Sequence, residues 1–190
     1  MLSSACLNPG SDRGPEHDGG IDGIDSAGEC SGDAREPNDL PETAIDLRWD
    51  SIVALDGQQE AALMIDASLC SGDHDWYLLP VAELGFDFHV VRIDGLVRGA
   101  SWCGQFDGCD GEVLPDAPEN TLVVEVYDAA SMVLLAADLA TNGRVDVDGW
   151  GATFSKDLVI HVYGPSNVAS YAYELHVDVR SRDSEDECQC

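Results

Sequence analysis

The sequence predicts an all-β protein, an antiparallel sandwich of two sheets built from eight or nine strands. Three observations carry that expectation. From about residue 34 the chain runs in short apolar stretches that alternate with a period of two and are separated by Gly, Asp, Asn and Pro. No window of comparable length shows helical periodicity, and 44% hydrophobic residues in a chain of 190 supply a core for one domain with tails.

In chain order, Ala44 to Trp49, Ala61 to Asp66 and Asp75 to Pro80 read as the first three strands. Phe86-Asp87-Phe88-His89-Val90 alternates cleanly and reads as a fourth. Leu122, Val124 and Val126 form one face of the next strand, after which Ala129-Ala130-Ser131 turns the chain into Met132 to Ala137. Gly143 to Trp150 sets Val145 and Val147 against Asp146 and Asp148. Leu158, Ile160 and Val162, then Tyr171, Tyr173, Leu175, Val177 and Val179, complete the set. Strands with one apolar face each bury it by stacking two sheets. Residues 99–120, with two prolines, four glycines and two cysteines, read as a long loop. Residues 1–33 read as a disordered Gly/Asp-rich linker and 180–190 as an acidic tail, leaving 34–179 for the sandwich.

The net charge of −28, from 37 acidic against 9 basic residues, repels nucleic acid and anionic lipid headgroups and makes cations the natural counterions. No stretch of 18 apolar residues offers a transmembrane segment. Seven cysteines without a C-x-x-C pair fit neither a zinc ribbon nor a thioredoxin-like motif, so disulfides in an oxidising, extracytoplasmic compartment are expected. Cys103 and Cys109 are placed to staple the long loop. Met1-Leu2-Ser3-Ser4-Ala5-Cys6 looks like the end of a bacterial lipoprotein signal, in which Cys6 would carry lipid. The basic and apolar regions of such a signal do not precede it, so two readings stand: a start codon placed too far downstream, or a chance match.

No catalytic constellation emerges. Gly-x-Ser-x-Gly, His-Glu-x-x-His and a phosphate-cradling glycine loop are all missing, and Lys156 is the only lysine. His89, His161 and His176 each occupy the polar phase of a strand and are expected to face solvent. Among the tryptophans, Trp76 is expected in the core, and Trp102, beside the stapled loop, is the candidate for an exposed binding contact.

Two acidic motifs stand out, Glu36-Pro37-Asn38-Asp39 and Ser71-Gly72-Asp73-His74-Asp75-Trp76-Tyr77. Together with Ala44-Ile45-Asp46-Leu47, Val124-Glu125-Val126-Tyr127-Asp128, Leu158 to Gly164 and Tyr171 to Leu175, they resemble the bacterial pre-peptidase C-terminal domain over roughly residues 34–179. The resemblance implies a jelly-roll-like sandwich appended to secreted proteases and other exported proteins, with relatives that bind collagen. It also implies calcium held by the positions matching Glu36, Asn38, Asp39 and Asp75, although Ala34 stands where an acidic ligand is expected. Calcium takes six to eight oxygen ligands, which such a set supplies in part. The alternative is that Asn38, Asp39 and Asp75 cap turns through bonds to backbone amides.

If the acidic motifs meet in space, Cys30 and Cys70 come close enough to form a disulfide that pins the N-terminal arm. The functional expectation is a non-enzymatic, exported accessory or binding module. It would be a secreted protein or a surface lipoprotein, calcium-stabilised, with an extracellular polymer or protein as partner. The alternative is the appendage of a longer secreted protease whose catalytic domain lies outside this chain.

Overall fold

Ten strands in two five-stranded sheets make up the computed structural model, which describes residues 35–55, 58–85, 89–101, 113–150, 154 and 156–181. The strands are β1 (Ile45–Asp46), β2 (Ser51–Leu55), β3 (Gln58–Cys70), β4 (His74–Leu79), β5 (His89–Val97), β6 (Leu122–Asp128), β7 (Leu134–Ala140), β8 (Arg144–Trp150), β9 (Leu158–Tyr163) and β10 (Ser170–Ser181). One sheet runs β1-β4-β9-β6-β7 and the other β2-β3-β10-β5-β8. All pairings are antiparallel except β1 with β4. Among the described residues no helix is long and apolar enough to cross a membrane.

Alternation decides which side of each strand enters the core. Ala61, Leu63, Ile65, Ala67 and Leu69 of β3 are buried, as are Tyr173, Leu175, Val177 and Val179 of β10 and Val145 and Val147 of β8. From the opposing sheet come Tyr77 and Leu79 of β4, Leu122, Val124 and Val126 of β6, and Leu158, Ile160 and Val162 of β9. All of these side chains except Ala61 belong to one continuous cluster, the main source of stability in a sandwich of this kind. Gly95 of β5 lies where the sheets approach closely: a Cβ there would sit 2.9 Å from Leu122 Cδ2 and 3.2 Å from Val124 Cγ2.

Several boundaries differ from the expectation. β2 is an additional strand, and Ala44 to Trp49 contributes only the two-residue β1. The fourth strand extends from His89 to Val97, Phe86 to Phe88 lying outside the described residues. It continues through Arg92 and Asp94 because these polar residues have partners on the outer face. Arg92 bonds both oxygens of Asp94 and reaches Asp146 on β8, so Asp94 stays buried in an ion-paired state.

Candidate metal centre

The two acidic motifs meet at the start of β4. The backbone N–H of Trp76 donates to the Asn38 carbonyl at 3.0 Å, which fastens the N-terminal arm along the strand's edge. Leu47 N–H does the same to the Leu78 carbonyl further on. Arg35 donates to the Asp66 carbonyl, tying the arm to β3 as well. The Glu36–Pro37 peptide bond is cis.

One carboxylate oxygen each from Glu36, Asp73 and Asp75 lies within 4.8 Å of the others. Asp75 is fully buried because it occupies the inward phase of β4, beside Tyr77 and Leu79. Its Oδ2 accepts a 2.5 Å bond from the Tyr173 hydroxyl of β10, which is 2.7 Å from the Tyr77 hydroxyl. Burial first, and then the neighbouring Tyr77 and Asp75, push Tyr173 well above the ordinary tyrosine range, so it is a neutral donor. Asp73 turns the loop before the strand by accepting from the N–H groups of Cys70 and His74.

Asn38, one of the expected positions, lies in the same segment as Glu36. It is completely buried, and among the described residues neither its Oδ1 nor its Nδ2 finds a hydrogen-bond partner. Leaving such an amide unsatisfied costs about 1–3 kcal/mol; a bound cation would recover the part due to Oδ1, and a water the part due to Nδ2. Its backbone N–H donates to Glu36 Oε2 at 3.3 Å, so the residue belongs to the acidic segment. Three carboxylates and an amide oxygen are hard ligands of the kind calcium takes, with waters completing the shell. The acidic triad therefore matches the ion in ligand type.

Of the expected ligand positions, Glu36 and Asp75 lie in the close cluster. Asp73, part of the motif but outside the expected set, joins Glu36 and Asp75 in the close cluster. Asp39 is exposed and touches the cluster through Asp73. Its hydrogen bond to Asp73, then burial and the Asp73 charge, push its carboxyl above the usual aspartate value.

A second group of side chains covers the outer face of the same sheet. Trp76, His161 and Glu125 lie directly opposite one another on β4, β9 and β6. The Trp76 and His161 rings stack at 3.8 Å with planes 7° apart. His161 Nδ1 is 2.9 Å from Glu125 Oε2, and its Nε2 is 2.8 Å from His74 Nδ1, giving a chain from Glu125 through His161 to the exposed His74. Tyr127 and Tyr163 also donate to Glu125. Burial pushes Glu125 up, but these bonds outweigh it and hold the carboxyl below its ordinary value. Burial also pushes His161 below the ordinary histidine value, against the opposing pull of Glu125.

Two expectations are corrected here. His161 occupies the outward phase, as its polar neighbours imply, yet it is 7% exposed because Trp76 and Tyr163 lie over it. Trp76 stands on this outer face, half-buried, rather than in the core. His176 is half-buried and close to Glu174, while the side chain of His89 lies outside the described residues. Cys70 is disulfide-bonded, and every other cysteine of the chain lies outside the described residues. Cys6, Cys30, Cys103, Cys109 and Trp102 are thus not placed, nor is the linker before Arg35.

No protein-family profile matches the chain, and no curated protein does. Among solved structures, a chain from Bacillus endospore appendages, described as disulfide-linked pili, matches with a TM-score of 0.38 and 10% identity. The match covers 67% of this chain and 89% of that one. A likeness at that level assigns neither the family nor the function.

Proposed function

We propose that this chain is a non-catalytic, exported β-sandwich module whose N-terminal arm is clamped to the sandwich by calcium. The carrying observation is the buried, unpartnered amide of Asn38 in the same segment as the Glu36, Asp73 and Asp75 cluster. Three carboxylates this close repel one another, and a divalent ion converts that cost into a gain. Glu36, Asp73, Asp75 and Asn38 would hold the ion, with Asp39 supporting Asp73. Bound there, calcium would join the arm, the loop before β4 and, through Asp75 and Tyr173, the opposite sheet.

Export is supported by the disulfide at Cys70 and by seven cysteines without metal or redox spacing. The resemblance to the pre-peptidase C-terminal domain points the same way, because both of its signature motifs take part in one site. The proposed partner of Cys70 is Cys30, four residues before Ala34, with Cys6 as the lipid-bearing residue of a surface-anchored form. Calorimetric titration with calcium tests the clamp. A single saturable site that is lost in a Glu36→Ala, Asp75→Ala double variant is the expected result; no heat in the wild-type protein would refute it.

A further inference from the structure

Among the described residues the sandwich is unfinished along one side. β2 is the margin of its sheet, and the corresponding margin of the other sheet is the two-residue β1. Ile52 of β2 stands opposite Ala61, which is completely buried, so Ile52 points towards the core side. It is nevertheless 62% exposed. A groove of about 480 Å³ opens beside it, walled by Leu47, Trp49, Ile52, Leu78 and Pro80.

The free edge adds directional chemistry to this apolar wall. Among the described residues β2 pairs with β3 alone, so alternate residues turn backbone N–H and C=O groups outward. Ser51-Ile52-Val53-Ala54 carries no charge and no proline to blunt that edge. β7, a margin on the opposite side of the molecule, is instead tied to β8 by the Asp146 N–H, which donates to Asp138 Oδ2 at 3.1 Å. Around the groove, Asp46 and Glu83 outnumber Arg48, and Asp50 stands at the head of β2.

We propose that β2 and its groove form a strand-acceptor site for an extended segment of another protein, one that carries an apolar anchor between Lys or Arg residues. Main-chain bonds to β2 supply affinity, the groove takes the apolar side chain, and the acidic rim selects basic flanks. A second copy of this chain fits poorly, because it would bring an identical acidic rim and a net charge of −28 against its own. The site is separate from the calcium clamp, and either can fail without the other.

The test uses the full chain and a short synthetic peptide of alternating valine and threonine with lysine at both ends. Binding is read by calorimetry and by amide hydrogen exchange. The expected result is slowed exchange at alternate β2 amides, with affinity at least about tenfold weaker for a glutamate-ended peptide and for Ile52→Asp. Ile52→Thr, a milder variant, should weaken binding to a smaller degree, and a peptide with a central proline should not bind. Equal binding of the lysine- and glutamate-ended peptides, protection away from β2, or no binding at millimolar peptide would overturn the proposal. So would a dimer in sedimentation that Val53→Pro dissociates, since the occupant would then be a second copy.

Discussion

Tyr173 links the two sheets through a single hydroxyl, which donates to Asp75 on β4 and lies against Tyr77. Tyr173→Phe would remove that donor from a buried carboxylate, and the expected cost is about 1–3 kcal/mol in denaturant unfolding. Glu125 gives a prediction in pH. Its carboxyl is held below the ordinary 4.5, so its bonds contribute stability above that value and lose it as pH falls through the lower, folded-state value. The difference in melting temperature between wild type and Glu125→Gln should therefore be largest near neutral pH and shrink on acidification below 4.5. A difference that grows in acid would contradict the assignment. At this scale the sequence was legible in type more than in surroundings. Asp75 could be read as a ligand from its motif, but its bond to Tyr173 joins residues 98 apart. His161 could be assigned to the outward phase, but period-two alternation identifies a face and says nothing of what covers it. The large rings of Trp76 and Tyr163 bury it from outside the core.

β4 is the element on which both sites depend. Its inward residues Asp75, Tyr77 and Leu79 enter the core and reach the acidic cluster, while His74 and Trp76 build the outer-face network. Because the period is two, sliding its register by one residue would exchange the two sets, so the site geometry is as firmly fixed as the core. Strands with strict alternation, such as β3 and β10, were readable from sequence. β2 was not, because Ser51-Ile52-Val53-Ala54-Leu55 is nearly uniformly apolar and lies at a margin where neither face is strongly selected. β1 was over-read, since Ala44 to Trp49 spends only two residues in the ladder before turning towards β2. Sheet spacing gives a further test. Gly95→Val would drive branched carbon into Leu122 and Val124, and overpacking of this kind costs about 1–3 kcal/mol, measurable by chemical unfolding. An unchanged stability would mean that the sheets do not approach as described.

For the molecule as a whole, a net charge of −28 opposes compaction, so added sodium chloride should raise the melting temperature through screening alone. Calcium must be distinguished from that general effect. The all-β sandwich was legible because alternation, turn residues and the lack of helical period agree with one another. The meeting of the two acidic motifs was legible from sequence, whereas the place of Asp73 in the cluster and the orphaned amide of Asn38 depend on how the arm lies along β4. The most direct measurement is thermal unfolding at constant ionic strength, with calcium exchanged for sodium, in the wild type and in Glu36→Ala, Asp73→Asn. At a calcium concentration about 100-fold above Kd, the wild type should gain about 2.7 kcal/mol, or about 5–10 °C, and the variant almost none. Equal shifts in both proteins would show calcium acting only as a counterion and would contradict a clamp at this site.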